Sequence, residues 1–260
     1  MHVGSLHIYP LKGARAVDLG RSAVGARGLD GDRRWLAVNA AGRQMTQRSH
    51  PSFATITARP HPAGLGLSAG GKRDLLVPAP APDAERIDAT VWEDVRVSAA
   101  LAFAGAHEWI SAVAGEPARL VHFDARSERL KRGIWVSAPL PMGFADAYPI
   151  LVATTGSLAA LNAEIARGGG APVPMRRFRP NIVVDCDDPW AEDFWKTLRI
   201  GGNVFDLVKP DDRCVVTTTD QETGRRMGKE PLASLARIRR SADPRINGVI
   251  FGWYAVPRGP

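Results

Sequence analysis

Cysteine is nearly absent from this 260-residue chain, which holds only Cys186 and Cys214. Two thiols exclude a disulfide-stapled scaffold, and equally a zinc or iron–sulfur site built from cysteine alone. Histidine is little better represented. His2, His7, His50, His61, His107 and His122 form neither an HExxH nor an HxH pair, which argues against a histidine-built zinc centre. No window holds the ~18 uninterrupted apolar residues of a membrane helix, and the first residues lack the charged-then-apolar order of a secretory signal. The expectation is a cytoplasmic chain without a membrane span, its thiols reduced. Nucleotide-binding signatures are missing too: no GxGxxG follows a strand pattern and no GxxxxGK[ST] occurs, nor does a GxSxG that would expose an acyl-transfer serine. Like-charged runs of five or six residues are also wanting, so no nucleic-acid partner is expected.

What is present is ordinary in bulk. A composition of 45% hydrophobic and 23% charged residues in 28.0 kDa suits one large globular domain or two modest ones. The net charge of +7 is spread out, with +4 over residues 1–100, none over 101–200 and +3 over 201–260. Only six of the 34 basic residues are lysine. The arginine fork suits bidentate binding of phosphate or carboxylate, although a general preference for arginine accounts equally well for most of these residues.

Glycine and proline punctuate the first half at short intervals. Between them, Val3–Tyr9, Arg34–Asn39, Phe53–Arg59, Asp74–Val77 and Ala89–Val97 read as strands of a barrel or sandwich. A helix is expected over Leu101–Ala114, ending at Gly115-Glu116-Pro117, a plausible domain boundary. The second half mixes types. Strands are expected at Ala118–Phe123, Ile150–Ala153, Asn181–Val184, Val204–Val208, Cys214–Thr219 and Val249–Val256, with helices at Thr155–Ala166 and Leu232–Ile238.

Several segments carry candidate chemistry. Cys214 follows Arg213 after Lys209-Pro210-Asp211-Asp212, an electropositive setting that favours the thiolate; a buried, inert cysteine is the other reading. Met175-Arg176-Arg177-Phe178-Arg179-Pro180-Asn181 offers either an anion clamp or a solvated basic turn. Tyr9-Pro10-Leu11-Lys12-Gly13 places a rare lysine in a turn after a strand, and Asp32-Arg33-Arg34-Trp35 leads into another strand.

Together with Asp146-Ala147-Tyr148-Pro149, and in this order, these segments resemble the MOSC-domain family from Tyr9 to about Phe251. The resemblance is to two-part members with an N-terminal MOSC-type β-barrel, a group that includes the mitochondrial amidoxime-reducing component and bacterial proteins that detoxify hydroxylaminopurines. It implies an α+β, β-rich fold: an N-terminal β-barrel-like domain over residues 1–117, then a MOSC β-barrel domain with a few helices over 118–260. Members hold molybdenum on one pyranopterin dithiolene, in the mononucleotide-free form that ends in a phosphate, and a protein cysteine adds a sulfur ligand. Carried over by position, the resemblance implies Cys214 as metal ligand, and Lys12 and Arg33 as grips on the terminal phosphate. It implies Arg179 and Asn181 as contacts from the second half, and Asp146 as an acidic group near the metal that relays protons. Thr46 and Arg48 also lie where members carry threonine and arginine. Gly13 stands where relatives often have serine, so a backbone N–H replaces a hydroxyl contact there. Asp211 stands where relatives often have a second cysteine, which leaves Cys214 the segment's one thiol.

The implied activity is molybdenum-cofactor-dependent reduction of small N-hydroxylated compounds. With two cysteines the chain has no ferredoxin domain of its own, so the electrons are expected from a separate protein of ferredoxin, flavoprotein or cytochrome type. The alternative is a non-redox carrier that binds the cofactor or passes sulfur through Cys214.

Overall fold

The computed structural model describes residues 1–92 and 95–259. It is β-rich, as expected, with three helices among the described residues. The largest sheet has seven strands in the order Thr197–Ile200, Asn203–Asp212, Ile250–Pro257, Ile150–Thr154, Ile182–Asp185, His2–Ile8 and Val17–Leu19. All neighbours run antiparallel except Ile150–Thr154 and Ile182–Asp185, whose parallel pairing requires a crossover, which the helix Thr155–Arg167 supplies. A five-stranded sheet follows the order Arg86–Val91, Val95–Leu101, Ala118–His122, Trp35–Asn39 and Gln44–Met45. A three-stranded meander, Thr57–His61, Gly64–Ser68 and Leu75–Pro78, packs its Ala58, Leu65, Leu67 and Val77 into one core with Trp109 and Ile110 of a helix over Ala104–Ala114.

The chain crosses between the sheets more than once. The first two strands join the C-terminal sheet, whereas Ala118–His122, placed in the second domain by a boundary at 117, pairs with Trp35–Asn39 in the N-terminal one. Residues 9–12 make the first crossing. Trp35 N donates to Pro10 O at 2.9 Å and Lys12 N to Trp35 O at 2.9 Å, so the Tyr-Pro-Leu-Lys turn is seamed to the second sheet as it leaves the first. Lys12 therefore sits at the junction.

Asn181 brackets that junction. It is fully buried; its Oδ1 accepts from Leu151 N at 3.1 Å and its Nδ2 donates to His7 O at 3.1 Å, tying two strands that do not neighbour each other.

Three expected elements differ. The single strand Ala89–Val97 is the meeting point of two strands, Arg86–Val91 and Val95–Leu101. The stretch Phe53–Arg59 opens as a 3-10 turn, Pro51–Thr55, with proline at its start, where the ring suits a first helical position. The third is Cys214–Thr219. The preceding strand runs on through Pro210 to Asp212 by way of two register shifts, and Val215–Thr218 is a 3-10 turn capped by Cys214. Thr217 and Thr218 explain it: their hydroxyls donate back to Cys214 O at 2.9 Å and Val215 O at 2.8 Å, a local alternative that outcompetes their β preference.

Replacing Asn181 with alanine strands Leu151 N–H and His7 C=O without partners in the core. Asn181→Ala is expected to lower stability by about 2–4 kcal/mol in urea unfolding; an unchanged midpoint would show that the bracket is dispensable.

Candidate functional site

The site forms where the chain passes between the sheets, around Tyr9. This phenol is buried, and burial pushes its pKa up to about 12 against the pull of Arg179 and Arg33, so it stays protonated and donates to Pro180 O at 3.0 Å. Two guanidiniums stack on its ring, Arg179 at 4.1 Å and Arg33 at 4.5 Å. Both arginines adopt left-handed backbone conformations, φ 58° and φ 47°, which non-glycine residues take at some cost in strain. Asp32, buried beside them, accepts from Tyr9 N at 2.7 Å and pairs with Arg33. Arg33 Nη1 reaches Asn181 Oδ1 at 2.9 Å, and Arg179 Nη1 donates to Ala14 O at 2.7 Å. Burial lowers the pKa of Arg179 to about 10.

Lys12 enters from the same turn. It is buried, and its Nζ donates to Phe144 O at 2.7 Å and to Asp146 Oδ1 at 2.5 Å. Burial lowers its pKa to about 8, although Asp146 works the other way. For Asp146, loss of solvent works against the charge. The Lys12 ammonium, its hydrogen bond, and Arg33 and Arg179 outweigh that loss and hold the carboxyl below its ordinary range. The raised pKa expected of a proton-relay carboxyl is thus reversed in the unliganded chain: the pair's proton resides on Lys12. Arg129 fixes the loop that carries Asp146, donating to Gly143 O, Ala145 O and Asp146 O at 2.9, 2.5 and 3.1 Å. Gly13 completes the turn at φ 89°, where a β-carbon would also meet Phe53 at 3.3 Å; its carbonyl accepts from Gln47.

Cys214 is half-buried at the cap of its 3-10 turn, with no hydrogen-bond partner for its sulfur among the described residues. Two arginines clamp the segment to the Arg179 loop in opposite directions. Arg213 donates to Phe178 O at 2.6 Å, and Arg177 donates to Thr218 O at 3.0 Å. Burial lowers the pKa of Arg213, against the pull of Tyr254, Cys214 and Asp146. Asp211 pairs with Arg213, and Arg213 Nε is buried without a partner.

The structure thus brings Lys12 against Asp146 and Arg33 with Arg179 onto Tyr9, and ties the Cys214 turn to the Arg179 loop. Asn181 is fully buried and spends three of its side-chain hydrogen bonds inside the protein, on Leu151 N, His7 O and Arg33. Sequence reasoning passed over Tyr9, Asp32 and Arg129 as individual groups, and saw Arg213 only as a neighbour of Cys214. For Tyr9 the signal was its place in the lysine turn; for the others only their partners identify them. Cys186 lies buried in the apolar core of the large sheet, as an inert thiol would.

The donor set defines a class of ligand. Lys12, Arg33, Arg129, Arg179 and Arg213 face three carboxylates, Asp32, Asp146 and Asp211, leaving an excess of buried positive charge and an unpartnered guanidinium N–H. Such a cluster is costly unless an anion completes it. Among the described residues no group of three His, Cys, Asp or Glu could hold a metal by itself, so a metal at Cys214 must bring further donors of its own. A phosphate-bearing dithiolene ligand fits both requirements.

The fold is two β-rich halves meeting at a cation-rich junction, with one half-buried free thiol on an adjoining turn. Residues 1–117 match the MOSC N-terminal beta barrel domain and residues 139–258 the MOSC domain, so the chain belongs to the MOSC family. It is 31% identical over 271 residues to human mitochondrial amidoxime-reducing component 1, covering 99% of this chain and 79% of that protein. The counterpart from Xenopus laevis is 31% identical over 97% of this chain and 76% of its own length. A molybdenum cofactor sulfurase from Oryza sativa is 27% identical over 100% of this chain, which spans 33% of that longer protein.

Because Lys12 sheds its proton near pH 8, sulfate affinity of the cofactor-free protein, followed by calorimetry, is expected to fall as pH rises through that value. In Lys12→Arg, which keeps its charge, the fall should vanish. A pH-independent affinity in the unsubstituted protein would contradict the assignment.

Proposed function

We propose that this chain is a molybdenum-cofactor-dependent reductase of N-hydroxylated compounds, supplied with electrons by a separate protein. The observation that carries the reading is the meeting of Lys12 with Asp146 and of Arg33 with Arg179 on Tyr9, with the free thiol of Cys214 on a turn tied by Arg213 to the Arg179 loop. Relatives named as amidoxime-reducing components, matched over nearly the whole chain, support the substrate class.

When bound, the group would supply a metal centre able to take up two electrons and draw an oxygen atom from nitrogen. The chain does the rest. Cys214 supplies the thiolate ligand, a soft donor suited to molybdenum. Arg33, Arg179 and Lys12 neutralise the anionic end, with Arg33 and Arg179 pre-positioned on Tyr9. Asp146, whose side chain is 55% exposed, is the proton carrier. An anion that engages Lys12, Arg33 and Arg179 weakens the influences that depress the Asp146 carboxyl, and its affinity for a proton rises. Reduction of the N–O bond consumes two electrons and two protons and releases water, so a carboxyl that gains proton affinity on loading suits the step.

The match to cofactor sulfurases keeps one rival reading, a non-redox carrier of the cofactor or of sulfur. Protein from a host that makes the cofactor should contain molybdenum and reduce benzamidoxime with a dithionite-reduced dye. Cys214→Ala should lower turnover by ~100-fold or more, and Asp146→Asn should lower it with molybdenum content unchanged. Molybdenum without turnover of any N–O compound would favour the carrier; full turnover in Cys214→Ala would end the reading.

A further inference from the structure

Four non-glycine residues adopt left-handed backbone conformations among the described residues: Arg33, Trp92, Arg179 and Trp190. Backbone strain of this kind concentrates at functional sites, and the inference runs from the outlier to its use. Arg33 and Arg179 are accounted for by the clamp on Tyr9. Trp190 caps a 3-10 turn and packs against Phe251 and Arg239, away from the clamp. Trp92 lies in the turn after Arg86–Val91, where Val91 pairs with Val95 and a left-handed residue is ordinary; what sets it apart is where its ring lies.

Trp92 follows the strand Arg86–Val91 in the five-stranded sheet, yet its ring lies over two cations of the junction. The indole centroid is 6.0 Å from Lys12 Nζ and 4.9 Å from the Arg48 guanidinium. Lys12 is the buried partner of Asp146, and Arg48 is exposed, so the ring spans from the inside of the site to its rim. The residue is 38% exposed, so part of the ring reaches solvent. A partly exposed indole over two cations of the junction offers aromatic surface at the edge of the site.

We propose that Trp92 is the substrate platform, stacking planar conjugated N-hydroxylated compounds (aryl amidoximes and N-hydroxylated bases) beside the Lys12–Asp146 pair, with Arg48 fixing the ring. The inference rests on the reductase reading for the identity of its ligands. Its energetics do not depend on turnover: an aromatic face binds flat π-systems whatever their sequence or substituents, whereas a small aliphatic amidoxime offers little surface to stack.

The test compares benzamidoxime with acetamidoxime on the cofactor-loaded protein without reductant, so that neither is consumed. Benzamidoxime should alter the tryptophan fluorescence, and that change should disappear in Trp92→Phe while binding by calorimetry is largely kept. In Trp92→Ala, benzamidoxime affinity should fall about 10-fold, with acetamidoxime affinity and molybdenum content unchanged. Equal losses for both ligands would assign Trp92 a structural role and overturn the proposal, as would unaltered benzamidoxime affinity in Trp92→Ala. Selective aromatic binding through Trp92 in a protein that reduces neither compound would uphold the platform and refute the reductase reading, so the two can fail separately.

Discussion

Two guanidiniums stacked on one buried tyrosine hold this molecule's functional junction together. Arg33 and Arg179 arrive from different halves of the chain and meet on the ring of Tyr9, whose hydroxyl stays protonated because burial opposes its ionisation. Stacking spreads the charge of each fork over a polarisable face, and Asp32 pairs with one of them. The second remains under-compensated, and burial lowers its proton affinity. Buried like charges are tolerated where a ligand repays them. The proposed anionic cofactor would supply that compensation.

The rest of the site follows from this constraint. Holding Arg33 requires Asn181, and Asn181 in turn ties His2–Ile8 to Ile150–Thr154, so the clamp and the large sheet share one bracket. Holding Arg179 requires its loop to be locked against the Cys214 turn, which the opposed Arg177 and Arg213 contacts accomplish. Thiol and cations are therefore positioned by the same pair of loops. Lys12 and Asp146 close the other side, 134 positions apart in sequence and in direct contact in space.

Much of this was legible in the sequence, and unevenly so. Strong periodicity located the helix Leu232–Ile238 to the residue and Thr155–Arg167 to within one, because apolar spacing there agrees with burial. Of the motif residues, Lys12 meets Asp146, and Arg33 meets Arg179 on Tyr9. What could not be read were the consequences of contact between distant segments. Asp146 is depressed rather than raised because Lys12 lies beside it, and no local pattern states that. Asn181 turned inward because two strands compete for its amide. The β-branched run after Cys214 misled because threonine hydroxyls found nearer partners in Cys214 O and Val215 O than a neighbouring strand could offer. Trp92 was silent in sequence, since an exposed tryptophan beside a turn has no distinguishing pattern.

The central claim is that one protein thiolate joins an anionic, metal-bearing ligand held at the junction of the two halves. X-ray absorption at the molybdenum edge tests it most directly, by comparing the loaded protein with loaded Cys214→Ser. The account predicts one sulfur neighbour fewer in the variant, with an oxygen neighbour in its place. An identical sulfur shell in the two proteins would contradict it.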